Sequence, residues 1–279
     1  MSKEDSLLVT SLYRFIEVVD PPALRQRIYD AGVERGLKGT ILVAPEGING
    51  TIVGIEEEVE RFLSYLETEE GITDIPIRES RCKEFPFQRW KVRLKKEIVT
   101  LGVEGVSPTK QVGKYLEPDE WNEMLKGGDV TVVDTRNHYE TRIGKFAHAV
   151  DPATENFRDF PRWVETHLDP NMSPKVAMYC TGGIRCEKAT SLLLQKGFKE
   201  VYHLKGGILR YLEETPSEES LWEGDCFVFD DRVSVDPNLE QGAYTICEGC
   251  QLPVLRTELD QCNCQELKRP SKSINQTVL

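Results

Sequence analysis

The chain contains no apolar run approaching the roughly 20 residues that a membrane-spanning helix needs. Its opening, Met1-Ser2-Lys3-Glu4-Asp5-Ser6, leads straight into a strand-like segment without the apolar stretch of a signal peptide. A cytosolic protein that makes no use of a membrane is expected. Gly-x-Gly-x-x-Gly, the fingerprint of a flavin or nicotinamide fold, is absent. Positive charge is short: 35 Lys and Arg stand against 47 Asp and Glu, a formal net charge of −12. That balance opposes nonspecific binding of nucleic acid by the molecule as a whole. Cysteine is not scarce. Eight in 279 residues, four of them clustered towards the end, fit a reducing compartment better than a disulfide framework.

The chemistry concentrates in Val176-Ala-Met-Tyr-Cys180-Thr-Gly-Gly-Ile-Arg185-Cys186-Glu-Lys-Ala189. Four apolar residues, Val176 to Tyr179, are too few for a helix, whereas Ala189, Leu192 and Leu193 recur at helical spacing until Gly197. The pattern predicts strand, loop and helix, with Cys180 at the carboxyl end of the strand. A loop entering a helix turns unpaired backbone N–H groups inward at the positive end of the helix dipole, which makes it an anion cradle. Gly182 and Gly183 permit positive backbone angles, and the Arg185 guanidinium adds fixed positive charge. A thiol there ionises below the usual value of about 8.5, so Cys180 is expected to be the reactive residue, in an active-site loop of Thr181, Gly182, Gly183 and Ile184 with Arg185 beside it. Cys186 lies in the first helical turn; it either packs as a small helix residue or resolves an oxidised Cys180 as a disulfide. A tyrosine-phosphatase loop is disfavoured, since four rather than five residues separate Cys180 from Arg185 and Tyr179 stands where that motif has His.

Further stretches carry a resemblance. Asp134-Thr-Arg136-Asn-His-Tyr-Glu140 followed by Gly144 to Ala149, and Leu204-Lys-Gly-Gly-Ile208, are similar to the flanking motifs of rhodanese domains. Ala44-Pro-Glu-Gly-Ile-Asn-Gly-Thr51, the Cys180 stretch and Cys226-Phe-Val-Phe-Asp-Asp-Arg-Val233 resemble the oxygen-dependent tRNA uridine hydroxylases over nearly the whole chain. That resemblance implies hydroxylation of the wobble uridine of tRNA, uridine 34, to 5-hydroxyuridine, with molecular oxygen as co-substrate and Cys180 as the catalytic residue, as a thiolate or as a persulfide. Asp134, Arg136 and Glu140 are expected to brace loops rather than react. His138-Tyr139-Glu140 is the only iron-like triplet, and falls within a rhodanese motif on an expected loop.

Before that domain, strand-like segments at 7–15, 39–44, 50–53, 73–78 and 90–94 surround helices opening at Pro21-Pro22 and at Glu56. The β-α-β-β-α-β order predicts an α+β, ferredoxin-like (acylphosphatase-like) domain over residues 1–101, which is expected to bind RNA. Residues 102–117 read as a linker. Residues 118–215 form the α/β rhodanese domain, a parallel sheet with helices on both faces. An acidic connector and Cys-rich tail fill 216–279. Between Arg78 and Lys96 eight basic residues face two acidic ones. Within that stretch Arg89, Lys91, Arg93 and Lys95 alternate, so a strand would place them on one face, with Trp90 and Val92 on the other. Such a face either tracks an RNA backbone, with Phe85 and Phe87 near for stacking, or is a charged edge strand. Between Glu213 and Glu240 ten acidic residues accompany one basic residue, Arg232. Cys226 is expected to pack. Cys247-Glu-Gly-Cys250 and Cys262-Asn-Cys264 supply four thiolates for a structural zinc ion, although the one-residue gap of the second pair departs from the usual spacing.

Three functions compete on this reading: the tRNA hydroxylase, a thiosulfate-type sulfurtransferase in which Cys180 carries sulfane sulfur, and a redox-sensing module using Cys180 and Cys186.

Overall fold

Strand β1 (Leu7–Phe15) turns Leu8 and Leu12 into a core, and Asp20 then starts a helix by accepting a hydrogen bond from the Ala23 N–H (3.0 Å). Pro21 and Pro22 at the first helical positions sacrifice N–H groups that had no partner to lose. This helix, α1 (Pro21–Glu34), is followed by β2 (Lys38–Ala44), β3 (Gly47–Gly54), α2 (Glu56–Thr68), β4 (Ile77–Cys82) and β5 (Trp90–Leu94). The sheet order is β4-β1-β3-β2-β5, a ferredoxin-like arrangement with β5 added in parallel to β2 at one edge. Ile28, Phe62, Ile41 and Ile52, all without exposed surface, fill the space between helices and sheet. The computed structural model describes residues 6–262 and divides the chain into two units, up to Thr100 and from Leu101.

Two expected elements move. The fourth strand spans Ile77–Cys82 rather than 73–78, because Asp74 takes φ 51° and Pro76 has no N–H to give to a ladder. The hairpin turn shrinks to Pro45 and Glu46, since Gly47 already pairs with Ala44.

The second unit runs β6 (Lys114–Leu116), α3 (Pro118–Gly127), β7 (Thr131–Asp134), α4 (His138–Thr141), β8 (Gly144–Phe146), α5 (Phe160–His167), β9 (Lys175–Tyr179), α6 (Ile184–Gln195), β10 (Glu200–Leu204) and α7 (Gly207–Glu214). Strands β6, β10, β9 and β7 form one parallel sheet in that order. Along β9, Ala177 and Tyr179 join the core that holds Trp121 of α3 and Tyr211 of α7, while Val176 and Met178 point the other way and are equally buried. Both faces are covered, which is why β9 reads as an uninterrupted apolar run. Strand β6 lies within the segment expected to be a linker. Only Leu116 of its three residues is buried, so its sequence carries too little apolar pattern to announce a strand.

After α7 come β11 (Trp222–Gly224), paired with β8, the small hairpin of β12 (Cys226–Phe227) and β13 (Ser234–Val235), and the ribbon of β14 (Tyr244–Ile246) and β15 (Pro253–Leu255). No helix among the described residues is long and apolar enough to cross a membrane.

Candidate active site

Cys180 sits where β9 ends and α6 has yet to begin. Gly183 caps that helix with φ 100°, a left-handed conformation open to glycine, and its N–H points at the Cys180 sulfur (3.1 Å). Gly182, expected to share that role, does not take a positive φ. The loop is held from below by the start of α7. Ile208 N–H donates to the Cys180 carbonyl (2.9 Å) and Leu209 N–H to that of Thr181 (3.1 Å). Gly207 makes this approach possible, because a Cβ there would lie 2.5 Å from both carbonyl oxygens. Leu204 to Ile208, legible only as a motif in the sequence, is thus the buttress of the Cys180 loop.

Arg185 does not stand free beside the thiol. Its guanidinium makes a two-pronged pair with Glu140, 2.6 and 2.8 Å, and both side chains are buried. Glu140 in turn accepts the Asn137 N–H (3.1 Å) in the capping box of α4. One turn back, Arg136 pairs with Asp134 and donates to the Gly144 carbonyl (2.7 Å). Asp134, Arg136 and Glu140 therefore brace loops, with Glu140 gripping Arg185 directly. The triplet 138–140 lies on a helix and diverges: His138 Nδ1 meets Asp151 (2.7 Å) while Glu140 faces Arg185.

Burial by itself pushes the Cys180 thiol up. A hydrogen bond from the Cys186 thiol, the charge of Arg185 and the backbone N–H groups of Cys186 and Gly183 outweigh it, and bring Cys180 down to about 6. Cys186 goes the other way, pushed well up by burial and by its bond to the Cys180 thiolate. It also lies 3.5 Å from Thr135 Oγ1, whose hydroxyl donates to the Tyr179 carbonyl (3.0 Å). The pair is one thiolate and one thiol. Burial above all lifts the Cys226 thiol to about 12, so this residue packs.

The motif from Cys226 to Val233 supplies a roof. Phe229 lies 5.9 Å from the Arg185 guanidinium carbon, Phe227 stands edge-on to it, and Tyr139 stands edge-on to Phe227. Phe229 was invisible as a site residue in the sequence, its only signal being membership of that motif.

Of the four tail cysteines, Cys247, Cys250 and Cys262 come together with sulfurs within 4.8 Å of one another; Cys264 lies outside the described residues. The Cys250 and Cys262 sulfurs are 3.8 Å apart, and a tetrahedron of Zn–S bonds of about 2.3 Å sets its sulfurs about 3.8 Å apart. Gln251 N–H closes a tight turn onto the Cys247 carbonyl (2.8 Å), and the Cys247 N–H returns to Leu252 (3.0 Å). These residues fit a thiolate-bound metal.

In the first unit Lys91 and Arg93 are exposed on edge strand β5, with Val92 buried between them and Arg89 and Lys95 flanking the strand. Trp90 packs inward, its indole N–H on the Tyr29 carbonyl (3.0 Å). Phe85 lies under the Lys38 ammonium at 4.1 Å. The Ala44 to Thr51 motif clamps backbone: Glu46 accepts the Ile98 N–H (2.6 Å) and Asn49 donates to the Ile98 carbonyl (2.9 Å).

A cysteine in a glycine cradle at the end of a parallel strand, preceded by a ferredoxin-like unit, defines a rhodanese-domain protein with an acylphosphatase-like module. Residues 7–98 match the UPF0176 acylphosphatase-like domain and residues 117–214 the rhodanese-like domain. The chain belongs to the tRNA uridine(34) hydroxylase family: it is 52% identical over 251 residues to the protein of that name from Teredinibacter turnerae, covering 90% of this chain and 78% of that one. Among solved structures, a rhodanese-like domain from Anabaena sp. is 21% identical over 39% of this chain and 78% of its own, with a TM-score of 0.32. An acylphosphatase from Coxiella burnetii is 12% identical over 33% of this chain and all of its own, with a TM-score of 0.25.

Proposed function

We propose that this chain hydroxylates uridine 34 of tRNA to 5-hydroxyuridine in the cytoplasm, with molecular oxygen as co-substrate and Cys180 as the reacting sulfur. The observation that carries this reading is the buried Cys180 sulfur, 3.1 Å from the Gly183 N–H in a cradle that favours its thiolate, within a chain of this family. Gly183 and Cys186 stabilise negative charge on the sulfur, and Glu140 holds Arg185 beside it. Arg89, Lys91, Arg93 and Lys95 are proposed to meet the tRNA backbone, which gives an acidic protein a local phosphate-binding face. Cys247, Cys250 and Cys262, with Cys264, are proposed to hold zinc, which would cross-link the terminal ribbon in place of a hydrophobic core.

The same thiolate also suits the second reading, sulfur transfer. Attack on the sulfane sulfur of thiosulfate would form a Cys180 persulfide and release sulfite. Nucleoside mass spectrometry of tRNA separates the two. Cells whose only copy carries Cys180→Ser are expected to lose 5-hydroxyuridine and nucleosides derived from it, and their retention would overturn the assignment. Unchanged tRNA together with lost thiosulfate sulfurtransfer would select the second reading.

A further inference from the structure

The second unit contains a cleft of about 340 Å³, between α4 and the ribbon of β14 and β15. Its size lies at the lower end of small-molecule sites. Tyr139 and Arg142 line one wall, three residues apart and hence on one face of the helix turn. Tyr244, Leu255, Glu258 and Gln261 line the other. Arg142 is exposed and has no ion-pair partner among the described residues. The cleft is coupled to the catalytic centre by residues already described. Tyr139 directly precedes Glu140, which grips Arg185, and it contacts Phe227, which carries Phe229 over the same guanidinium.

Two phenol rings, an unpaired guanidinium and the amide of Gln261 around a space of this size suit a nucleotide. Rings stack on a base of any identity, the guanidinium meets a phosphate, and the amide reaches a base edge. We propose that this cleft is a nucleotide subsite that takes a residue of the substrate RNA flanking the uridine presented to Cys180. The inference rests on the tRNA reading and adds to it a second contact region, distinct from the basic strand of the first unit. A target base drawn out of a loop needs its neighbour anchored.

The test uses the full chain and an anticodon stem-loop RNA whose loop contains uridine 34. Arg142→Glu and Tyr244→Ala are measured separately for binding of the fluorescently labelled stem-loop and for its hydroxylation. Both are expected to weaken binding and raise KM on the order of tenfold, with kcat at saturation held within about twofold. Arg142→Glu is expected also to lower the slope of log affinity against log salt by about one. Replacing one flanking nucleotide by an abasic residue should cost wild-type protein a similar factor and the Tyr244→Ala protein little more. Thermal melting reports folding, and an exposed residue such as Arg142 is replaced without loss of core. Wild-type affinity and KM in a folded Arg142→Glu protein, or full additivity of the abasic and Tyr244→Ala effects, would overturn the subsite. Stem-loop binding that is sensitive to Arg142 but yields no hydroxylation would leave the subsite standing and remove the hydroxylase reading. A wild-type protein that does not bind the stem-loop removes both.

Discussion

Cys186→Ala isolates the hydrogen bond that most favours ionisation of Cys180. In the wild-type protein the surroundings of Cys180 bring its thiol down to about 6, with the Cys186 thiol as the leading contribution against burial. A hydrogen bond to a charged group is worth about 1.5–3 kcal/mol, and one pKa unit corresponds to about 1.4 kcal/mol. Losing it should raise the Cys180 midpoint by about one to two units, to roughly pH 7–8. The direction follows from the charge: the donor stabilises the thiolate and not the thiol, so its removal delays ionisation as pH rises. Removal of a buried sulfur also leaves a small void, costing about 1 kcal/mol of stability, too little to unfold the chain. The assay is the rate of iodoacetamide alkylation at Cys180 between pH 5 and 9, read by peptide mass spectrometry. Slow access to a buried sulfur scales the whole curve without moving its midpoint. Cys186→Ser keeps a donor and should recover most of the wild-type profile. An unchanged midpoint in Cys186→Ala, or an equal shift in both variants, would refute the reasoning. The same Cys186→Ala protein reports the resolving role. After peroxide forms a sulfenic acid on Cys180, wild-type protein should condense it with the Cys186 thiol to a disulfide and water, whereas the variant should proceed to the sulfinic acid.

Two further expectations concern the ends of the chain. Zinc analysis of the full-length protein should give one equivalent, and Cys250→Ser should lose it and lower the melting temperature. A stoichiometry of zero in metal-replete protein would leave the thiol cluster without a metal. Reversing charge at Arg89, Lys91, Arg93 and Lys95 together should weaken tRNA binding and flatten its salt dependence by up to about four units of slope, while Cys180 alkylation stays at the wild-type rate. An unchanged slope would return β5 to a charged, aggregation-resistant edge.

Local pattern alone placed Cys180 at a strand end before a helix, because a fully buried parallel strand and a glycine-broken loop leave their mark within a few consecutive residues. The ferredoxin-like order and the alternation of Lys91, Val92 and Arg93 were legible for the same reason: periodicity is a property of neighbours along the chain. Where pattern was thin, as in β6 with its single buried residue, the sequence read as a linker. What it could not contain was partnership across distance. Glu140 and Arg185 are 45 positions apart, Phe229 reaches Arg185 from beyond α7 in the sequence, and the need for glycine at 207 arises from carbonyls at 180 and 181. An arginine that looked like free positive charge is instead paired with and fixed by a carboxylate. The thiol at Cys186, ambiguous in the sequence, became the donor that sets the ionisation of its neighbour. Residue types determined which chemistry was available; only the packing of β9, α4, α6 and α7 around one sulfur decided which charges meet, since electrostatic effects depend on separations and burial that do not exist until the chain has folded.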